Sequence, residues 1–217
     1  MTLDIIIHNG YVITMEGKGT GIINNGAVGI KRNKIIAVGT THEVMHNYAA
    51  HRYIDAMNKV VMPGLVNTHM HTSNAIIRGL AQDIPYVDWR LKCVIPLLSF
   101  TTLDDLVTGS MLNIIESVKT GTTTFGDFDV PMIDLIQNHI QAGVRAVVSD
   151  MINEMPKDVS VIEEGILYPL DSSVGSQKIQ NNTRLIEQYH NSHNGRITCR
   201  YGVQAVDMCT LELLKEV

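Results

Sequence analysis

Hydrophobic positions in the first sixty residues fall in short runs separated by turn-forming residues. The stretch LDIIIHNGYVIT has apolar runs on either side of Asn9-Gly10, which predicts a hairpin turn. A second pair of runs, in GAVGIKRNKIIAVG, flanks Arg32-Asn33, and HEVMHNYAAH is typical of a short helix. These patterns predict a small layer composed mainly of β-strands.

After Pro63 the hydrophobic spacing becomes that of helices alternating with strands. The stretch TTLDDLVTGSMLNIIESVKTG has apolar residues three or four positions apart, a threonine cap at Thr101 or Thr102, and Gly121 at its end, which predicts an amphipathic helix. MIDLIQNHIQAG and IQNNTRLIEQYHNSHNG predict two more helices. The unbroken apolar runs between them are typical of parallel strands buried on both faces. We assign these strands to residues 60–66, 122–127, 144–149 and 197–203, in sequential order.

Four strand–helix units are half of a known architecture. A closed (β/α)8 barrel needs eight parallel strands and about 250 residues. The last helical stretch begins at Thr210 and runs to Val217 without a capping glycine or a following strand. We therefore predict an α/β chain in which residues 59–217 are the N-terminal half of a (β/α)8 TIM barrel, preceded in residues 1–58 by part of a small β-sandwich.

Composition and charge exclude several classes of function. The 217 residues are 45 % hydrophobic and 18 % charged, as in ordinary globular proteins, and the net charge of −5 argues against a nucleic-acid partner. No run of roughly 18 apolar residues predicts a membrane span, and the N-terminus does not resemble a signal peptide. The three cysteines form no CxxC pair, so we expect reduced thiols and a cytoplasmic protein.

Two histidines end the apolar run VVMPGLVNTHMH. Residues two apart on a strand point to the same face, so His69 and His71 are predicted to face the barrel axis at the carboxyl end of the first strand. Two imidazoles placed in this way can bind one zinc-like ion. The alternative interpretation is a pair of surface histidines in the loop that follows the strand.

The segment VVMPGLVNTHMHTSNAIIRGLAQDIPYVDW resembles the metal-binding first barrel strand of the amidohydrolase superfamily. The resemblance is to the branch of atrazine chlorohydrolase-like triazine hydrolases and methylthioadenosine/adenosylhomocysteine deaminases. It continues in SVKTGTTTFGDF, AGVRAVVSDM and RITCRYGVQAV, and in an N-terminal sheet of the urease composite-domain type. The resemblance implies that His69 and His71 bind one divalent metal ion, with zinc expected and iron as the alternative.

The same resemblance implies a metal-dependent hydrolase that acts on the C–N bond, or the C–Cl bond, of a small heterocycle or amidine. In such enzymes the segment around Trp89 lines the pocket, so Trp89 is a candidate for substrate binding, with a buried anchor under the loop as the equal alternative. The resemblance also implies a homo-oligomer for a full-length protein. Asp127, at the end of the second strand, is predicted to serve a turn, with a hydrogen bond near the site as the alternative.

Two departures from the nucleoside deaminases bear on the substrate. Leu98 stands where those enzymes carry a glutamate for ribose hydroxyls, and Gln204 stands in place of a substrate-contacting histidine. Gln204 can form hydrogen bonds but does not titrate, so it is our second candidate for substrate binding. The fourth strand has no lysine to bridge two metals, which favours a mononuclear site.

The catalytic residues of the family come from later strands, so we expect none in this chain and predict that it is inactive alone. Two alternatives remain from the sequence. The chain could be a truncated, inactive product or partner-binding subunit with a residual metal site, or it could be a non-enzymatic metal- or ligand-binding module.

Overall fold

A computed structural model describes residues 1–17, 21–156 and 167–217 of the chain. These residues divide into two compact units, Met1–Gly64 and Leu65–Val217. None of the helices in the described ranges has the length and apolar character needed to span a bilayer.

The first unit is one five-stranded sheet with a short helix. Strand β1 lies antiparallel to β2 and parallel to both β4 and β5, and β3 is antiparallel to β2. A capping box between Thr40 and Glu43 begins the helix, and Val44 packs from it onto Leu3 and Ile6. The elements are β1 (Thr2–Ile13), β2 (Ile22–Lys31), β3 (Lys34–Thr40), α1 (Thr41–Asn47), β4 (Ala49–Asp55) and β5 (Val60–Val61).

The predicted hairpin at Asn9-Gly10 is wrong. Both residues lie inside the continuous strand β1, and its register with β2 shifts on each side of Gly10. Asn9 has a φ of 61°, so the two residues form a bulge in the strand, not a turn. The positions of Arg32 and Asn33 agree with the prediction, because they join β2 to β3 with Arg32 at a φ of 54°.

The second unit is a parallel sheet with helices between its strands. Its hydrogen-bonded order is β10-β8-β7-β6, with β9 also paired to β8, and every pairing is parallel, as predicted. The strands are β6 (Leu65–Met70), β7 (Thr122–Asp129), β8 (Arg145–Ile152), β9 (Ile197–Cys199) and β10 (Gly202–Val203). The helices are α2 (Tyr86–Asp88), α3 (Ile95–Ser99), α4 (Leu103–Lys119), α5 (Met132–Ala142), α6 (Ser172–Tyr189), α7 (Ser192–Gly195) and α8 (Leu211–Glu216).

All four predicted strands differ in their bounds, and the second and third extend beyond their predicted ends, to Asp129 and Ile152. The first begins at Leu65 because Val60 and Val61 pair with β1 of the other sheet. The fourth is interrupted between β9 and β10, although both pieces pair with β8. The gap precedes Gly202, whose backbone lies so close to Ser149 and Phe128 that a β-carbon would overlap them.

Helix α4 begins, and helix α5 ends, at the residues that the sequence predicts. The Thr102 hydroxyl accepts a hydrogen bond from the Asp105 backbone N–H, the Asp105 carboxylate accepts one from the Thr102 N–H, and Gly143 closes α5 with a φ of 75°. The larger of two buried apolar clusters in the described part of this unit lies between the sheet and the helices. Its members include Ile114, Phe125, Leu135, Ile136, Val148, Leu185 and Ile197. This core packs α4, α5 and α6 against β7 and β8.

Candidate metal centre

The structure brings the rings of His69 and His71 together. Their Nε2 atoms are 3.2 Å apart, and the two ring planes are perpendicular with centroids separated by 4.9 Å. His69 is in β6 and His71 is the first residue after it, so both leave the sheet at the carboxyl edge. This is the edge at which parallel barrels place their active sites.

A bulge in β6 gives His69 its direction. Asn67 pairs with Phe125 and Met70 with Asp127, so three steps on β6 match two on β7. Gly126 allows this, because a β-carbon there would overlap the backbone of Thr68. Met70 is buried on one side of the strand, whereas His69 is exposed on the other. Bulges of this kind commonly redirect a side chain beside a functional site.

The backbone of β7 fixes the ring of His71. Its Nδ1 atom lies within a short hydrogen-bond distance of the Phe128 carbonyl oxygen, which can only accept, so Nδ1 carries the proton. The lone pair of the neutral ring is therefore on Nε2, which faces His69. The Phe128 ring also packs beside both imidazoles, at centroid distances of 6.2 and 5.7 Å. A carbonyl behind a histidine is a common outer partner of metal-binding imidazoles.

The spacing of the pair fits one edge of a tetrahedral site. Zinc–nitrogen bonds of about 2.0–2.1 Å at tetrahedral angles separate two ligand nitrogens by roughly 3.3 Å. The observed 3.2 Å requires little movement of either ring. Over residues 1–17, 21–156 and 167–217, no cluster of three or more His, Cys, Asp or Glu side chains could hold a metal ion. The described residues thus offer two ligands.

Asp127 does not form the turn that the sequence predicted for it, but makes hydrogen bonds near the histidine pair, which was the alternative. It is fully buried within β7, where its carboxylate accepts hydrogen bonds from the N–H and the hydroxyl of Thr72, at 3.2 and 2.6 Å. Asp129 accepts in the same way from the backbone N–H of Ser73, at 2.9 Å. The two aspartates alternate with Phe128, so a single strand holds the chain after His71 on one face and the imidazoles on the other.

Burial shifts the pKa values of Asp127 and of the neighbouring His139 in opposite directions. Desolvation raises the pKa of Asp127 to about 7, and the nearby Asp129 carboxylate adds to the effect. Burial lowers the pKa of His139 to about 4, and its Nε2 atom lies 3.3 Å from Asp127 Oδ2. The sequence did contain a signal for this pair of supporting carboxylates. Asp127 and Asp129 are two residues apart in FGDFD, which places both side chains on one face of a strand.

The histidine pair lies between two open clefts of about 290 Å³ each. His71 and Trp89 line one of them, together with Asn74, Arg78 and Asn113. Trp89 follows α2 and stacks on Tyr86 at a centroid distance of 5.9 Å. His69 lines the other cleft, together with Phe128, Arg200, Tyr201 and Gln204. The four site residues predicted from sequence therefore fall into two pairs, each with one histidine.

Gln204 follows β10 and is held by polar side chains. Its Oε1 atom accepts a short hydrogen bond from Asn153 Nδ2, and Asn153 Oδ1 accepts one from Lys178 Nζ at 2.6 Å. Asn153 is buried, and desolvation lowers the pKa of Lys178, an effect that the Asp150 carboxylate opposes. Sequence reasoning found Gln204 but missed the other two, because 51 and 25 residues separate Asn153 from its partners.

The family profile of the amidohydrolase family matches residues 60–217. The chain belongs to the amidohydrolase family. Among curated relatives, the 5'-deoxyadenosine deaminase of Methanococcoides burtonii is 32 % identical over 214 residues, which are 99 % of this chain and 45 % of the relative. A 5-methylthioadenosine/S-adenosylhomocysteine deaminase of Carboxydothermus hydrogenoformans is 33 % identical over 215 residues, again 99 % of this chain and 45 % of the relative. The resemblance predicted from the sequence is thus confirmed.

Solved amidohydrolases confirm the predicted fold. An adenosine deaminase from Xanthomonas campestris, solved with bound zinc, superposes over 100 % of this chain and 46 % of its own, with a TM-score of 0.86 and 22 % identity. The atrazine chlorohydrolase of Arthrobacter aurescens, solved with zinc, superposes over 96 % of this chain and 48 % of its own, with a TM-score of 0.77 and 21 % identity. This amidohydrolase chain therefore spans about half the length of its relatives and matches the N-terminal half of their barrels.

Proposed function

We propose that this chain is the metal-binding N-terminal half of a hydrolase that cleaves an exocyclic C–N bond of a small planar heterocycle. One observation carries the proposal: His69 and His71 share a 3.2 Å Nε2–Nε2 spacing while Phe128 fixes the proton of His71 on the opposite nitrogen. The Phe128 carbonyl leaves the Nε2 atom of His71 unprotonated, so that it can bind a cation once His69 also presents a lone pair. A metal site requires this, because a ligand nitrogen must be unprotonated.

The chain's own residues hold and orient the reacting groups. His69 and His71 would bind the cation, which is expected to be zinc and which supplies Lewis-acid activation of water at neutral pH. Thr72 and Asp127 keep the turn after His71 in place, and Phe128 excludes water from one side of the imidazole pair. The two clefts leave the outer side of the pair open for a ligand.

The clefts favour a small aromatic substrate. Trp89 offers an aromatic face in the His71 cleft, and Gln204 offers a hydrogen-bonding amide in the His69 cleft. The curated relatives named above are deaminases of adenosine derivatives, which supports an amino leaving group. The side chain of Leu98 has no atom that could accept a hydrogen bond from a ribose hydroxyl, so we propose that the substrate is a base or amidine without a sugar.

We further propose that the isolated chain does not turn over substrate. Catalytic zinc sites use three protein ligands and one open position, whereas the described residues provide two imidazoles. Protonation of a leaving amine also requires a positioned general acid. The resemblance to the amidohydrolase family implies that the remaining residues come from later strands of a complete barrel.

Zinc binding by the 217-residue chain tests the proposal. Competition with a chromogenic chelator should show one zinc equivalent, with weak affinity that falls at least tenfold in His69→Ala and in His71→Ala. His51→Ala is the matched control, because His51 is exposed on β4 and far from the pair in sequence. Unchanged zinc affinity in both site variants would refute the metal assignment. Turnover of an aminotriazine, guanine or cytosine by the isolated chain would refute the inactivity.

A further inference from the structure

A chain of three polar side chains connects helix α6 to the cleft beside His69. Lys178 Nζ donates to Asn153 Oδ1 at 2.6 Å, and Asn153 Nδ2 donates to Gln204 Oε1. Asn153 is buried, whereas Lys178 and Gln204 are each half-buried. The chain of hydrogen bonds therefore begins at a cation and ends in a cleft.

The amide of Asn153 can adopt only one orientation. An ammonium group has donors and no acceptor, so the Asn153 atom beside Lys178 must be the carbonyl oxygen. The backbone N–H of Met155 donates to the same oxygen at 3.0 Å and requires the same assignment. Two independent donors thus place Oδ1, and the Nδ2 group of Asn153 must face the other way.

The orientation of Asn153 determines that of Gln204. Because Asn153 presents N–H donors, the Gln204 atom that contacts them must be Oε1. Rotation of the Gln204 amide by 180° would bring two NH2 groups together and leave both unpaired. Gln204 Nε2 has no protein partner in the part of the chain that the structure describes, and Gln204 lines the same cleft as His69.

We propose that Lys178 and Asn153 are positioning residues that hold the Gln204 amide with its two N–H donors toward the cleft, and that the site thereby selects a heterocycle with a hydrogen-bond acceptor next to the reacting carbon. The acceptor is a ring nitrogen or a ring carbonyl oxygen. The inference rests on the proposed function for its ligand, but the orientation of the amide does not depend on any ligand. A histidine at this position could exchange its donor and acceptor nitrogens by changing tautomer. The Gln204 amide is held in a single orientation.

Side-chain amide exchange tests the orientation without a ligand. In ¹⁵N NMR spectra of the intact chain, the Nδ2 protons of Asn153 should exchange at least tenfold more slowly than the Nε2 protons of Gln204. Asn153→Asp and Gln204→Glu each delete one pair of signals and so assign them. Lys178→Met should speed the exchange of the two Nδ2 protons of Asn153. Gln177→Met, which removes an exposed hydrogen bond on the same helix, should leave that exchange rate unchanged. The reverse order of protection would overturn the proposed orientation.

Ligand selection is tested with adenine and its 1-, 3- and 7-deaza analogues, which replace one ring acceptor with C–H. By calorimetry on the zinc-loaded chain, 1-deazaadenine, which lacks the ring acceptor next to the amino-bearing carbon, should bind about tenfold more weakly than adenine, whereas weakening confined to the 3- or 7-deaza analogue would contradict the proposal. In Asn153→Asp the new carboxylate still accepts from Lys178 but forces the Gln204 amide to turn, so that this preference should disappear. Equal binding of all four compounds by the wild type would overturn the selection. Absence of any binding would overturn the proposed substrate class, and the exchange rates would still decide the orientation of the amide.

Discussion

The Oδ2 atom of Asp127 and the Nε2 atom of His139 lie 3.3 Å apart, and both side chains are inaccessible to solvent. Burial raises the pKa of Asp127 to about 7 and lowers that of His139 to about 4. At intermediate pH both groups are therefore neutral in the folded chain, a protonated carboxyl beside an unprotonated imidazole. This neutral pair lies directly behind the turn that carries His71.

The two shifts have opposite effects on the pH dependence of stability. Asp127 is protonated when folded and ionised when unfolded between about pH 4 and 7, so its contribution decreases as pH rises. His139 is neutral when folded and charged when unfolded between about pH 4 and 6.5, so its contribution increases as pH rises. Each slope is at most about 1.4 kcal/mol per pH unit. The two should largely cancel in the wild type.

Substituting either residue alone should reveal the contribution of the other to the pH dependence of the unfolding free energy. Relative to the wild type, the unfolding free energy of Asp127→Asn should rise with pH between about 4 and 6.5, because only the His139 contribution remains. His139→Gln should show the opposite trend, a decrease between about pH 4 and 7. Urea unfolding at several pH values measures both. Parallel pH profiles for the wild type and the two variants would show that neither group titrates as described.

Ser149 should be a site at which a smaller side chain stabilises the fold. Its hydroxyl is fully buried in β8 and has no hydrogen-bond partner among the described residues, so it loses solvation without compensation. Ser149→Ala should raise the unfolding free energy by about 1 kcal/mol. Ser110→Ala is the matched control, because Ser110 is equally buried but its hydroxyl pairs with Thr72 at 2.9 Å. This variant should lower the unfolding free energy by about 1 kcal/mol. Equal changes in the two variants would contradict this account.

Periodicity predicted the parts of the fold in which local sequence and long-range pairing agree. The Thr102 cap and the hydrophobic face belong to α4 and the Gly143 stop belongs to α5; each acts within a single helix, and the structure contains all three. Asn9-Gly10 has an equally strong local turn signal, but β1 pairs with β2 on one side and with β4 and β5 on the other. Those pairings keep the strand extended and reduce the turn to a bulge, which no local pattern could show.

The site was predictable to the extent that its residues are neighbours in sequence. His69 and His71 are two residues apart, and a strand brings them to one side without further information. The partners that orient them are remote: Phe128 and Asp127 lie 57 and 55 residues from the positions they hold. The orientation of Gln204 depends on Asn153, 51 residues away, so it required the register of β10 with β8.

Gly126 should be needed for the geometry of the histidine pair. An added methyl group would overlap the Thr68 backbone and push the bulge that directs His69. Gly126→Ala should therefore cost about 1–3 kcal/mol of stability and lower zinc affinity about tenfold. Gly39→Ala is a fitting control, because there the nearest atom is the flexible Glu43 carboxylate, 3.1 Å away. If a folded Gly126→Ala chain keeps wild-type zinc affinity, the bulge is not needed to place His69 in the metal site.

Trp89 should report ligand binding directly. It is the only tryptophan in the sequence and lines the cleft of His71, so all indole fluorescence arises beside the proposed site. Adenine binding to the zinc-loaded chain should quench this emission, because a stacked heterocycle contacts the indole ring. Trp89→Phe should keep most of the affinity measured by calorimetry, whereas Trp89→Leu, which removes the aromatic face, should weaken it about threefold to tenfold. If Trp89 is a buried anchor instead, adenine will bind without changing the fluorescence, and Trp89→Leu will lower the unfolding free energy but leave the affinity of the folded chain unchanged.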